Sequence, residues 1–474
     1  MYQRVIAVMF SFFLSSGDGF AQLLAKQLDF AVQNLSTDEQ FKHAIIGLYV
    51  IDTKTGQIII DRNGQLGLSP ASCQKVITSV TAFELLGQGY QFKTYVACNK
   101  QIANGKLLGN LYVMGGGDPT LGSSRWKSTN EEIVFKKIIS IVRQNKISFV
   151  SGDLVCNDSQ FTTEPLPSGW VWEDIGNYYG AGAWGLNWRE NQYDITFKTG
   201  IKLSDSTTVI STKPIAVLNN YTIANFIKTG SKGSGDNGYL YSAPLGKNII
   251  ARGTIPITEN GFTISGSMPD PPGIFITGMA TYLKENGIGI AGKLYSNSAQ
   301  LANNLPTSSA SEVLDSILSP TLDSINYWFL KKSVNLFGEA LIKAMAYEKF
   351  KNGSTDTGIA LVKEYWSKHG IEKSALNMID GSGLSPANRI TANSLVSVLQ
   401  FAKSRPWFSL FYNALPEING IKMKDGYING VRSYTGYVKS KNGADYIFAF
   451  IVNNFDGSAS TAREKIWKLL NILK

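Results

Sequence analysis

The sequence predicts an α/β chain of the α+β kind, in which a domain of helices packed on an antiparallel sheet is interrupted by a β-rich insertion. Three observations point there. The two ends of the chain carry apolar strands and amphipathic helices, whereas residues from about 92 to 275 read as short strands broken by Gly, Ser, Asn and Asp. Aromatic clusters such as Trp170-Val171-Trp172 and Trp184 to Trp188 fall inside that middle stretch. Finally, 474 residues with 43% hydrophobic and 17% charged content are ample for two or three domains with sizeable cores.

Taken in order, Met1 to Arg4, an apolar run from Val5 to Leu14 and the small-residue exit Gly19-Phe20-Ala21 make a secretory signal peptide over residues 1–21. The run is too short for a spanning helix, and no later stretch is long enough to cross a bilayer. The mature chain is therefore expected in the periplasm or otherwise outside the cytoplasm. Strands are expected at Ile45 to Ile51 and Gln57 to Ile60, joined by the turn Asp52 to Gly56. Pro70 fits the first turn of a helix whose apolar body runs to Leu86, with Gly87 as its stop. Helices return at Ile325 to Tyr347, Asp356 to His369 and Ser460 to Leu473.

Several chemistries are excluded early. With only two histidines, His43 and His369, and no Cys-x-x-Cys or His-Glu-x-x-His pattern, neither a metal site nor another cofactor is expected. A formal charge of +9 is spread over scattered lysines, so no nucleic-acid partner is expected. Of the three cysteines, Cys73 reads as a small core residue, and a Cys98–Cys156 disulfide stays open.

The chemistry sits in Pro70-Ala71-Ser72-Cys73-Gln74-Lys75. Ser72 lies near a helix N-terminus with Lys75 one turn on and on the same face, so an amine can serve as the base that a serine nucleophile needs. Taken alone, the spacing fits a helix-cap serine beside an exposed lysine equally well, and Ser124-Arg125-Trp126-Lys127 repeats it in what reads as a surface turn. Two Ser-x-Asn triplets follow. Ser333-Val334-Asn335 enters an apolar helix through small residues, while Ser324-Ile325-Asn326 reads as helix surface. Literal Lys-Thr-Gly copies at Lys54, Lys198 and Lys228 all precede Ser333, and the first is a turn. Lys424-Asp425-Gly426-Tyr427 is better placed, on the first strand of a hairpin turning at Asn429-Gly430, with Tyr434 on the partner strand.

The ordered set Ser-x-x-Lys, Ser-x-Asn, Asp380-Gly381-Ser382-Gly383-Leu384-Ser385 and Lys-x-Gly resembles the D-alanyl-D-alanine carboxypeptidase/endopeptidase family of low-molecular-mass class C penicillin-binding proteins. Gly115 to Leu121 and Gly152 to Val155 look like that family too, so the resemblance spans nearly the whole mature chain. It implies a β-lactamase/transpeptidase-like domain built from residues 22–92 and 276–474, with inserted β-rich domains over 93–275. It also implies a penicillin-binding serine peptidase that acts on peptidoglycan stem peptides and is acylated by β-lactam antibiotics. Carried over position by position, Ser72 is the nucleophile and Lys75 its base. Ser333 and Asn335 orient the lysine, relay the proton and hold the substrate amide, and Lys424 supplies positive charge. Asp425, Gly426 and Tyr427 line the substrate strand, with the N–H groups of Ser72 and Tyr427 as oxyanion hole. The rivals are a β-lactamase or esterase on the same set, against which the long insertion speaks, and a catalytically impaired peptidoglycan-binding protein.

Asp425 departs from the pattern, because the family carries Thr or Ser there to bind the free carboxylate of a terminal D-alanine. Two like charges about 4 Å apart at an effective dielectric near 20 repel by roughly 4 kcal/mol. Either cross-links that present no carboxylate are preferred, or the aspartate is kept neutral or paired with Lys424.

Overall fold

The computed structural model describes residues 21–474, so the expected signal peptide falls outside it except for Ala21. Among the described residues no helix is long and apolar enough to cross a membrane. The chain forms two compact units. One takes the residues up to Thr81, Asn326–Ser333 and Val362–Lys474, and the other takes Ala82–Ile325 and Val334–Leu361.

The first unit is built on six antiparallel strands, β1 (Ile45–Asp52), β2 (Ile58–Arg62), β3 (Glu417–Ile418), β4 (Ile421–Ile428), β5 (Val431–Lys439) and β6 (Asp445–Asn453), in the order β2-β1-β6-β5-β4-β3. The central strands β1 and β6 are apolar on both faces because both faces are covered. Ile46, Leu48, Val50, Phe448 and Phe450 meet Leu28 and Val32 of the helical stretch 21–37 and Ile466 and Leu470 of the helix Ala459–Leu470. The alternate residues Tyr49, Ile447, Ala449 and Ile451 are buried as well, and the helix Ala392–Lys403 packs on β1 and β6. The β4–β5 hairpin turns at Asn429-Gly430 as expected, and its register sets Asp425 opposite Tyr434.

One helix expected over Ile325 to Tyr347 is two, Leu322–Lys331 and Asn335–Phe350. Ser333 breaks it by taking a left-handed backbone, φ 57°, which a right-handed helix cannot continue through.

The second unit contains the whole expected 93–275 insertion and further takes in the strands Leu294–Ser296 and Glu312–Leu318 and the helix Asn335–Phe350. Its five-stranded sheet pairs Glu312–Leu318 antiparallel with Lys93–Cys98, and two three-stranded sheets lie between them in sequence. Trp188 anchors the core, stacked on Phe135 at 4.9 Å and edge-on to Phe275 at 5.0 Å.

The disulfide left open by the sequence is not formed, since Cys73, Cys98 and Cys156 are all free and buried. Cys98 pairs across to Leu111, and Val113 of that same strand pairs onward to Cys156, so a whole strand separates the two thiols. Two interstrand spacings, about 9–10 Å, exceed the ~7 Å over which two cysteine Cα atoms can be bridged.

Candidate active site

The chain enters the site under tight restraint. Ser69 donates its N–H to Asn453 Oδ1 at 2.8 Å, and Asn453 Nδ2 donates back to the Ser69 carbonyl at 3.0 Å. Ser433 Oγ donates to the Pro70 carbonyl. Ala71 then adopts φ 43°, an unfavourable conformation for a residue with a Cβ, and a 3-10 turn over Ala71–Gln74 leads into the helix Lys75–Leu86. The expected helix is therefore present, with a tighter first turn that carries Ser72.

Lys75 is 0% exposed, its Nζ 2.8 Å from Ser72 Oγ. The same Nζ donates to the Ser382 carbonyl at 2.6 Å and lies 5.9 Å from the Phe329 ring centre. Cys73 points the other way, donating its thiol to the Lys424 carbonyl at 3.2 Å, and burial pushes that thiol up to about 12, so it stays protonated beside the serine.

Strand β4 passes directly over Ser72. A Cβ on Gly426 would stand 2.9 Å from the Ser72 nitrogen, 2.7 Å from the Pro70 carbonyl and 2.3 Å from Ser433 Oγ, so only glycine allows this approach. In an antiparallel pair alternate N–H groups face away from the partner strand. Met423 shows which set that is in β4, donating to the Pro416 carbonyl on the side away from β5. Tyr427 belongs to the same alternate set, so its N–H is turned off the sheet edge. Arg432 covers the face of the Tyr427 ring at 4.3 Å.

Lys424 is 1% exposed, and its ammonium meets Asp425 Oδ1 at 3.0 Å and the Asp425 carbonyl at 2.6 Å. Burial pushes the Asp425 carboxyl up, but the charge of Lys424 and its hydrogen bond outweigh it and hold the group below the usual carboxylate range.

Of the remaining sequence candidates, Ser333 sits half-buried at the helix break, four residues past Phe329. Asn335 opens the next helix in the second unit, and its Nδ2 donates to the Tyr179 carbonyl at 2.8 Å. Asn326, expected on a helix surface, is instead 1% exposed, because Ser79 Oγ donates to its Oδ1 at 2.6 Å. Ser124 and Lys127 lie exposed on a turn, with Arg125 paired to Glu190 at 2.8 Å. The Lys198 and Lys228 copies brace one another within the insertion, where Thr229 Oγ1 accepts the Gly200 N–H at 2.9 Å.

The Asp380-to-Ser385 segment, quoted in the sequence only for its place in the motif order, contacts the chain around Lys75 at several points. Gln74 Nε2 donates to Asp380 Oδ1 at 2.9 Å, Thr78 Oγ1 donates to the Gly381 carbonyl at 2.7 Å, and the Ser382 carbonyl reaches Lys75. The signal available in the sequence was the i, i+4 spacing of Gln74 and Thr78, which flank Lys75 where the first turn passes into the helix.

Comparison with known proteins agrees with the family resemblance stated above. The description of the D-Ala-D-Ala carboxypeptidase 3 (S13) family matches residues 28–421. A D-alanyl-D-alanine carboxypeptidase of Actinomadura sp. (strain R39) is 28% identical over 453 residues, covering 90% of this chain and 80% of that protein. The carboxypeptidase DacB of Haemophilus influenzae is 25% identical over 441 residues, covering 86% of this chain and 85% of its own. The fold matches the crystal structure of penicillin-binding protein 4 (DacB) from H. influenzae with a TM-score of 0.77 at 21% identity, over 90% of this chain and 94% of that one. With a family match across most of its length, this chain belongs to the D-Ala-D-Ala carboxypeptidase 3 (S13) family of serine peptidases.

Proposed function

We propose that the protein is a serine D-Ala-D-Ala carboxypeptidase that cleaves peptidoglycan stem peptides through an acyl-enzyme at Ser72, outside the cytoplasm, and that β-lactams trap it at the same atom. The observation that carries this reading is the buried Lys75 amine 2.8 Å from Ser72 Oγ. In the proposed cycle a neutral Lys75 takes the hydroxyl proton as Oγ attacks the carbonyl of the penultimate D-alanine. Negative charge on the carbonyl oxygen is met by the N–H groups of Ser72 and Tyr427, a role supported by the close approach of Gly426 to Ser72 and the outward Tyr427 N–H. The C–N bond then breaks and the leaving amine takes up the proton. Water hydrolyses the Ser72 ester, returning the proton to Oγ. The family resemblance gives Ser333 and Asn335 the relay of that proton and the hold on the substrate amide, and Lys424 the positive field.

A second activity on the same site, DD-endopeptidase cleavage of cross-links, is favoured by Asp425. Its carboxylate already occupies the Lys424 ammonium that a free substrate carboxylate would otherwise use. Incubation with a fluorescent penicillin, peptide mass mapping of the adduct, and release assays on a pentapeptide and on a cross-linked muropeptide test both readings. Absence of any covalent adduct would leave a wall-binding protein without turnover.

A further inference from the structure

We propose that Asp380 is a positioning residue for acylation: it ties the turn 380–385 so that the Ser382 carbonyl takes one hydrogen of the Lys75 amine and thereby keeps the nitrogen lone pair available to Ser72. This rests on the reading of Lys75 as the base. A neutral primary amine carries two hydrogens and one lone pair, and rotation about its Cε–Nζ bond exchanges their directions. Only one rotamer presents the lone pair to the Ser72 hydroxyl. A carbonyl fixed 2.6 Å from Nζ, with Ser72 Oγ at 2.8 Å, excludes the rotamer that would turn the lone pair onto the turn and so raises the share that faces Ser72 before substrate arrives.

The carbonyl can do this only if it is immobile, and the turn is built to hold it. Asp380 is 0% exposed, and its two carboxylate oxygens accept at least four hydrogen bonds. Oδ1 takes Gln74 Nε2 at 2.9 Å, the Gly383 N–H at 2.7 Å and Asn388 Nδ2 at 3.0 Å, and Oδ2 takes the Ser385 N–H at 2.6 Å. Thr78 clamps the next carbonyl, that of Gly381. Gly383, at φ 80°, packs so closely on the chain entering Ser72 that a Cβ there would lie 2.0 Å from the Ala71 carbonyl. Nucleophile, base and turn are thus locked to one another through Ala71, Gln74, Lys75 and Thr78. By contrast Ser382 Oγ is buried with no hydrogen-bond partner among the described residues, so Ser382 contributes to the lysine through its carbonyl.

Electrostatics alone would make Asp380 an unwelcome neighbour. A buried carboxylate favours the protonated form of Lys75, whereas Lys424 on β4 favours the neutral form and Asp425 beside it offsets Lys424; the helix Leu322–Lys331 presents the uncharged Phe329. The two effects of removing Asp380 therefore separate in a pH profile. Loss of charge alone moves the rise of acylation to lower pH and leaves the alkaline plateau untouched. Loss of positioning lowers the plateau itself.

The test is the rate of penicillin acylation at Ser72 from pH 6 to 10 for wild type, Asp380→Asn and Thr78→Val, each with its melting temperature. Asn keeps the size of Asp but turns an NH2 toward the Ser385 N–H. The plateau should fall by about thirtyfold or more for Asp380→Asn and by roughly three- to tenfold for Thr78→Val, which removes one clamp and leaves the carboxylate in place. A plateau within twofold of wild type in folded Asp380→Asn overturns the proposal. Should that variant fail to fold, an unchanged plateau in Thr78→Val overturns it equally. If wild type forms its adduct elsewhere than Ser72, or forms none, the underlying reading fails first and the two failures are told apart.

Discussion

Lys424 spends its ammonium on its own neighbour, contacting the Asp425 carboxylate at 3.0 Å and the Asp425 carbonyl at 2.6 Å. The aspartate is therefore a paired anion, and repulsion of a substrate carboxylate falls short of the roughly 4 kcal/mol expected for a bare charge. Asp425→Thr should raise release of D-alanine from a pentapeptide by about tenfold, well below the ~thousandfold that 4 kcal/mol would give. Cleavage of a cross-linked muropeptide should change less. Equal rates on both substrates in wild type, with no gain in Asp425→Thr, would show that the carboxylate does not face the substrate.

The same pair fixes a pH dependence. Because Lys424 holds the Asp425 carboxyl below its ordinary value, the stabilising contribution of this anion is present above about pH 4 and is lost only as pH falls through the depressed value. The ratio of pentapeptide to cross-link cleavage should stay flat from pH 5 to 8. A ratio that climbs as pH falls through 6 would mean a carboxyl titrating far above that range.

Gly426→Ala should lower acylation by about a hundredfold, since the new methyl has nowhere to go between Ser72, Pro70 and Ser433 unless β4 shifts. The stability cost should be about 1–3 kcal/mol by urea titration. A variant that labels at the wild-type rate would show that β4 does not need to approach Ser72 so closely.

Lys198→Ala and Lys228→Ala should leave acylation within a few-fold, whereas Lys424→Ala should abolish most of it. The two literal copies brace each other through Thr229 and Gly200 in the insertion. Loss of labelling in either, with Lys424→Ala unaffected, would place the substrate strand elsewhere.

In the second unit Asp118 is buried, which pushes its carboxyl up to about 6, with Thr120 donating to one oxygen as a partial offset. A carboxyl raised on folding costs stability as pH rises from its ordinary value to the raised one. Between about pH 4 and 7 wild type should lose up to roughly 3 kcal/mol that Asp118→Asn does not lose. Melting curves of the two proteins with identical pH slopes would refute this.

Much of the first unit was legible because its signals are local. The two hairpins, the apolar double-sided strands β1 and β6, and the helix after Pro70 follow from pattern and turn chemistry. The closeness of Lys75, and of the strand that carries Lys424, to Ser72 was legible from spacing and motif order where composition says little. What escaped is non-local. The break at Ser333 depends on a backbone angle that no propensity signals, and the burial of Asn326 depends on Ser79, distant in sequence. The Asp380 knot needed knowledge that the turn folds back onto Gln74 and Thr78. The strand that parts Cys98 from Cys156 is likewise a fact of pairing order.

The central claim is that the Lys75 amine, buried 2.8 Å from Ser72 Oγ, makes that serine the acylated nucleophile. The most direct test is peptide mass mapping of the protein after brief exposure to penicillin, for wild type, Ser72→Ala and Lys75→Ala. The account predicts one adduct on Ser72 in wild type, none in Ser72→Ala, and acylation slowed by at least about a thousandfold in Lys75→Ala. An adduct that persists in Ser72→Ala, at Ser124 or any other serine, would contradict it.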